Sequence, residues 1–265
     1  MTMDSDFLYQ ADGGVAVLTF NRPDVLNALT FDVYARLRDT LAELKHNNEV
    51  KVVIVTGSGK AFCAGGDVHE IIGKLLDHDM RGHLEFARMT GAVVKNMREL
   101  DKPIIAAVNG IAAGAGAVVA LAADLRIVSD RARFAFLFSK VGLTGADMGA
   151  AYLLPRIVGT GRAMQLLLFG ETIDAATAER YGLANRVVAH DELMIAAREW
   201  ADRLATGPTF ALSMTKTMVN NEWNMDLASA IESEAQAQAL LLMGDDHRRF
   251  YEAFAEKKPP VFGGR

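Results

Sequence analysis

The longest apolar stretch in the chain, Ile104 to Ala123, constrains the fold more than any other segment. It is long enough to cross a bilayer. Asn109 and the small residues from Gly110 to Ala117 interrupt it, however, and Asp124 closes it. Irregular backbone of that kind is not tolerated against lipid. The stretch therefore reads as a buried strand, Pro103 to Val108, that turns through a glycine-rich loop into a buried helix. No membrane span is expected.

The same grammar recurs along the first part of the chain. Val15 to Phe20 is stopped by Asn21, Arg22 and Pro23, and Lys51 to Thr56 is stopped by Gly57 and Gly59. Short strands are also expected at Leu125 to Val128, Phe134 to Phe138 and Arg186 to Val188. Between the first two strands, Thr30 can cap a helix whose stripe is Val33, Leu37, Leu41 and Leu44, running to about Lys45. A polar segment from Gly73 to Arg88 is the expected mobile loop, followed by a helix with Val93, Met97 and Leu100 on one side. Strands alternating with helices imply parallel crossovers and an α/β fold.

From Asp191 onward the pattern is helical throughout: 191–205, 208–221, 226–243 and 245–257. The division expected is a core over residues 1–190 and an all-helical region over 191–265. Helix 226–243 carries Ile231, Ala235, Gln238 and Leu242 on one side and Leu227, Ala230, Glu234 and Ala237 beside it, which suits burial against a neighbouring subunit.

Composition narrows the function classes. A chain of 265 residues, 51% hydrophobic, can bury a substantial core. A net charge of −5 gives no footprint for nucleic acid or an anionic membrane. Cys63 is the only cysteine, which rules out an intrachain disulfide and a cysteine-rich zinc site and suits a reducing cytoplasm. No metal site is expected. The opening MTMDSDFLYQ lacks the basic and then apolar character of an export signal.

Three strings can carry chemistry. The first, Lys60-Ala61-Phe62-Cys63-Ala64-Gly65-Gly66-Asp67, follows a strand, and its small residues let backbone N–H groups approach a ligand oxygen. An ordinary strand-to-helix turn has the same look. The second, Asn109-Gly110-Ile111-Ala112-Ala113-Gly114-Ala115-Gly116-Ala117-Val118, also follows a strand. It fails as a dinucleotide fingerprint because Val119 stands at the third glycine position. Two such loops can converge on one oxygen, and each amide donor can contribute about 3 kcal/mol to transition-state stabilisation. The third runs from Gly142 to Tyr152 and contains Asp147 among apolar neighbours.

Ala64-Gly65-Gly66-Asp67 and NGIAAGAGAVVALAAD together resemble the A-G-x-D loop and N-G-x-x-x-G-x-G helix start of the crotonase superfamily, the enoyl-CoA hydratases and isomerases. The resemblance extends from Arg22-Pro23 and Asn27-Ala28-Leu29 through Leu154-Pro155-Arg156 to the closing Lys257 to Phe262. It implies a ββα-spiral core, homotrimers or dimers of trimers, and a coenzyme A thioester as substrate, with no cofactor besides. It also implies that the amides of Ala64 and Ala115 form the oxyanion hole. CoA is expected near Asn27, Ala28, Ala64, Gly66 and Asp67, with Phe254 and Lys257 reaching a neighbouring subunit's CoA.

The sequence departs from the family where hydratases resemble one another in carrying two glutamates. Val118 and Phe138 occupy those positions, and neither moves a proton. Hydration needs an activated water and a proton donor. Asp147 is the replacement candidate, in a setting where Met148, Tyr152, Leu153 and Phe138 would desolvate a carboxylate and raise its proton affinity. A plain helix cap is the competing reading of Asp147. Val118, Phe138 and Met148 are expected to line the acyl pocket. His69, His78 or His83 can join Asp147 as a second proton carrier, although solvated loop histidines are commoner. Glu85 reads as a solubilising helix residue and Cys63 as a small buried hydrophobe.

Overall fold

The computed structural model describes residues 6–264. The leader reading of the chain start falls partly on residues 1–5, outside the described residues. A hairpin opens the fold: β1 (Phe7–Asp12) pairs antiparallel with β2 (Val15–Phe20). Then come α1 (Phe31–Leu44), β3 (Val52–Gly57), β4 (Ala61–Cys63) and α2 (Met80–Glu99). The next turn is β5 (Ile104–Val108), β6 (Ile111–Ala113) and α3 (Ala115–Ala122). The third is β7 (Leu125–Ser129), β8 (Arg133–Ala135) and α4 (Ala150–Val158). After α5 (Thr160–Phe169), β9 (Thr172–Asp174), α6 (Ala175–Arg180) and β10 (Arg186–Val188), the chain is helical. Its last helices are α7 (Leu193–Ala205), α8 (Thr209–Glu222), α9 (Leu227–Leu242) and α10 (Asp245–Ala255).

Two sheets result, in the orders β1-β2-β3-β5-β7-β10 and β4-β6-β8-β9. Each turn lays one strand in the large sheet, a three-residue strand in the small sheet, and then a helical segment. This is the crotonase-type ββα spiral with C-terminal helices that the resemblance implies. The parallel pairs β2–β3, β3–β5 and β5–β7 put Val53, Val55, Ala106 and Val108 on one face, packed with α1, α2 and α3. Val52, Ile54, Ile105 and Ala107 on the other face pack against Leu193, Ala196, Ala197 and Ala201 of α7. Both faces are covered, which is why these strands read as unbroken apolar runs. Thr30 caps α1 as expected, accepting from the Val33 N–H, and Leu37 and Leu41 are sealed in the core. Each such leucine contributes about 1.5–3 kcal/mol through burial.

Three expectations are corrected. The boundary at residue 190 falls too early, because α7 is the outer layer of the large sheet and belongs to the core. The segment Gly73 to Arg88 is not one loop: Asp79 accepts from the Gly82 N–H and starts α2 at Met80, so much of the polar stretch is its first turns. The strand expected over Phe134 to Phe138 stops at Ala135, and Leu137–Val141 forms a short 3₁₀ turn.

Ion pairs join the helical region to the core. Lys216 of α8 is buried, with Nζ 2.8 Å from Asp124 and donating to the carbonyls of Met97 and Lys102. At the end of α3, Arg126 donates to the carbonyls of Ala123 (2.6 Å) and Leu121 (3.3 Å), and Arg98 to that of Ala122 (3.4 Å). By contrast, α9 buries none of its residues, and Leu227, Ile231, Leu240 and Leu242 are each more than half exposed. Among the described residues, no helix is long and apolar enough to cross a membrane.

Candidate functional site

The loop after β4 and the start of α3 touch. An added Cβ at Gly116 would stand 2.1 Å from the carbonyl oxygen of Cys63, and one at Gly65 would stand 3.1 Å from that of Ala113. Gly65 also has a φ of +102°, which favours glycine. The small residues of both strings are therefore required by close approach of two backbones.

Amide accounting identifies the donors left over. In the first loop the Ala64 N–H donates to Leu26 O at 3.0 Å, the Gly65 N–H to the Cys63 sulfur at 3.5 Å, and the Asp67 N–H to Leu29 O at 2.9 Å. The Gly66 N–H has no partner among the described residues. In the second loop the Gly114 N–H donates to Ala135 O at 2.8 Å and the Val118 N–H to Gly114 O at 3.2 Å. Ala115 opens α3, so its N–H is one of the helix's unpaired first donors. The assignment of Ala64 as a free donor is thus corrected: its amide is consumed by Leu26, and Gly66 holds the uncommitted N–H. The Ala115 N–H is likewise uncommitted.

Asp147 lies between Gly142 and α4, a helix that packs against α3. Its Oδ1 accepts from the Met148 N–H at 2.9 Å, while the helix is capped by Gly149 with no side-chain bond. The capping reading of Asp147 is therefore set aside. Met148 is held at φ +48° and is nearly sealed. Burial pushes the Asp147 carboxyl above the ordinary carboxylate range, opposed by the single Met148 N–H. Val118, Phe138 and Met148 are buried in one apolar cluster. Met148 also lines a cleft of about 420 Å³ with Val94, Tyr152, Leu153 and Trp223.

Sequence reasoning passed over Tyr34, next to Val33 on the α1 stripe. It is 3% exposed. Burial, first among the causes, pushes its phenol well above the ordinary value, and Cys63 and Asp147 act in the same direction. The only sequence signal was an aromatic with a polar tip beside a leucine stripe.

Other candidates are spoken for. Asn27 is 1% exposed, its Nδ2 donating to Ser58 O and Ala61 O and its Oδ1 accepting from the Arg22 N–H. The Ala28 carbonyl accepts from Arg22 Nη1 at 2.6 Å, and its N–H donates to Val25 O. Asp67 caps Val68–Gly73 through the N–H groups of His69 and Glu70 and pairs with Arg22 at 3.0 Å. The Glu70 N–H leads the influences that lower its carboxyl, burial opposing them. The side chains of Asn27 and Asp67 are committed to shaping the loop.

Phe254 and Lys257 are exposed at the end of α10. His69 is exposed, and His78 and His83 stack on each other, with His83 Nε2 2.7 Å from Leu75 O. Glu85 pairs with Arg81 on the surface. Cys63 is sealed, and burial pushes its thiol up to about 12, which suits a hydrophobe rather than a nucleophile.

The family model described as enoyl-CoA hydratase/isomerase matches residues 10–265. The chain is 36% identical over 262 residues to the 1,2-epoxyphenylacetyl-CoA isomerase of Escherichia coli (strain K12), covering 97% of this chain and 98% of that protein. It is 34% identical over 255 residues to the short-chain-enoyl-CoA hydratase of Clostridium acetobutylicum, covering 96% of each. A crystal structure of a Streptomyces coelicolor A3(2) protein named after enoyl-CoA hydratase superposes with a TM-score of 0.97 at 50% identity, covering 100% of this chain and 96% of that one. The chain belongs to the enoyl-CoA hydratase/isomerase family. Within that family its similarity reaches both isomerases and hydratases.

Proposed function

We propose that this enzyme moves a double bond or an equivalent proton along the acyl group of a coenzyme A thioester. The Gly66 and Ala115 N–H groups hold the thioester oxygen. Asp147 takes a proton from an acyl carbon, leaving an enolate whose charge rests on that oxygen, and returns it at another carbon. Nothing is consumed, and one carboxylate suffices. The observation that carries this reading is Asp147 itself: a half-buried carboxyl with raised proton affinity, next to an apolar cluster in which Val118 and Phe138 replace the residues a hydratase would use. A base tuned toward neutral pH is what C–H abstraction needs. The E. coli isomerase among the relatives supports the same choice.

Hydration is the second reading, favoured by the hydratase names among the relatives. It would need a further proton carrier beside Asp147, and His69, His78 and His83 are on the surface. An aryl-CoA dehalogenase-like reaction, with Asp147 as nucleophile, would need an aromatic ring pocket, and Phe134 and Phe136, which could supply one with Phe138, are sealed in the core. A silent acyl-CoA-binding protein remains as an outcome of the test. Assembly as a trimer or dimer of trimers is part of the proposal, because it would cover the apolar residues of α9 and bring Phe254 and Lys257 to a neighbour's CoA. The deciding experiment is turnover of 2-enoyl- and 3-enoyl-CoA thioesters in heavy water, read by mass spectrometry. Deuterium gained with a shifted double bond supports the isomerase. Gain of water supports the hydratase, and binding with neither supports the silent binder.

A further inference from the structure

The residue that follows Asp147 goes against the chemistry of its own turn. The Ala150 N–H donates to the Asp147 carbonyl at 2.8 Å and closes a four-residue turn. Its two central residues, Met148 and Gly149, have φ values of +48° and +89°. A turn left-handed at both central positions favours glycine, asparagine and aspartate, so a methionine there holds strained backbone. Such strain persists only where the surroundings over-determine it. Here the methionine side chain meets that condition. Met148 is 6% exposed and belongs to the main apolar cluster, whereas Leu143, Thr144 and Ala146 before it and Gly149 after it are exposed. An added Cβ on Gly149 would stand 3.7 Å from Val94 Cγ1, so the turn lies against α2. Leu153 of α4 and Trp223 wall the same cleft as Met148 and Val94. The carboxylate is tied to this turn directly: the Met148 N–H reaches Asp147 Oδ1 at 2.9 Å, its one hydrogen bond among the described residues.

We infer that Met148 is a positioning residue for the base, its buried side chain pinning a left-handed turn that holds the Asp147 carboxyl in place and keeps water from one side of it. The inference rests on the isomerase reading above and adds what fixes its base. Glycine would serve the turn with less strain, but it would leave the turn without an anchor in the apolar cluster. The backbone strain at Met148 is thus offset by burial, and the gain falls on the residue next to it.

The test compares Met148→Gly, which suits the turn but removes the pin, with Met148→Leu, which keeps an apolar side chain of similar volume. In the ligand-free enzyme, carbon-13 NMR of the aspartate carboxyls follows Asp147, assigned by the signal missing from Asp147→Asn. The wild-type midpoint is expected above the ordinary carboxylate range, because burial raises it. Removing the Met148 side chain admits water, so the midpoint should fall in Met148→Gly and be retained in Met148→Leu. Deuterium exchange into 3-hexenoyl-CoA should drop in Met148→Gly on the order of 100-fold, the scale set by misplacing a reacting group by about 1 Å. Calorimetric affinity for hexanoyl-CoA should stay unchanged, and Met148→Leu should recover most of the exchange. The inference is overturned by an unshifted midpoint in Met148→Gly, by an equal loss in both variants, or by hexanoyl-CoA affinity that falls in step with exchange. If Met148→Gly does not fold, Val94→Ala thins the packing around the pin without touching the turn, and a wild-type midpoint there is the refuting result. A wild type that exchanges no deuterium removes the isomerase reading, and the titration still decides Met148.

Discussion

Replacing Gly116 with alanine would put a methyl carbon 2.1 Å from the Cys63 carbonyl oxygen and 2.7 Å from Cys63 Cβ. Against ordinary contact near 3.4 Å, about 1.3 Å of room is missing. The obstructing atom is backbone at the end of β4, which is pinned in the small sheet by its pairing with β6. Relief must therefore come from moving α3 away from the loop, which separates the Ala115 N–H from the Gly66 N–H. Overpacking of this kind costs about 1–3 kcal/mol, and a thermal midpoint falls roughly 2–4 °C per kcal/mol in a chain near this size. Catalysis should suffer more, because a misplacement of about 1 Å, or the loss of one such donor, lowers turnover on the order of 100-fold or beyond. The control is Gly91→Ala on α2, where an added Cβ meets nothing within 4 Å. That change should stabilise by about 0.5–1 kcal/mol and leave activity intact. Proton exchange from a 3-enoyl-CoA in heavy water, paired with thermal unfolding, reads both effects. Wild-type exchange in a folded Gly116→Ala enzyme would refute the idea that the two amides act on one oxygen.

Asp147→Asn should retain affinity for a saturated acyl-CoA and lose exchange by a factor of about 100 to 10,000, as expected for removing a general base; unchanged exchange would take Asp147 out of the mechanism. In the wild type, exchange should rise with pH through a midpoint above the ordinary carboxylate range, because burial raises the Asp147 carboxyl and only its ionised form is a base. Stability carries the opposite sign: between the ordinary and the raised midpoint the folded chain holds a proton the unfolded chain has released, so stability falls as pH rises through that window. Denaturant titration should accordingly find Asp147→Asn more stable than the wild type at neutral pH. Lys216→Ala leaves Asp124 with only Arg98 and the Ile104 N–H and removes the buried donor of the Met97 and Lys102 carbonyls, and urea unfolding should show a loss of about 3 kcal/mol.

What the sequence disclosed was whatever depends on neighbours along the chain. Thr30 and its leucine stripe announced α1, and the glycine-stopped apolar runs announced β3 and β5. The strands β4 and β6 escaped because three residues carry no periodicity, and their pairing joins segments far apart in sequence. The polar residues from Gly73 to Arg88 hid the first turns of α2, whose start depends on one Asp79 carboxylate. At the site, the two loops and Asp147 were legible as residue types. Choosing between Ala64 and Gly66 was not, because it turns on a carbonyl at Leu26 in a distant segment.

The arginines at the end of α3 have an electrical consequence for the opposite end. A helix of eight residues is about 12 Å long, and its two termini carry roughly half a charge of opposite sign. Left alone, the carbonyl end would pull back on any positive potential felt at Ala115, by about 0.7 kcal/mol per unit charge at an effective dielectric constant near 20. Arg126 and Arg98 cover that end instead. Burial lowers the Arg126 guanidinium only to about 10, so it stays charged at neutral pH. With its tail neutralised, α3 would act on the proposed enolate less as a dipole than as an isolated positive pole, whose reach declines more slowly with distance.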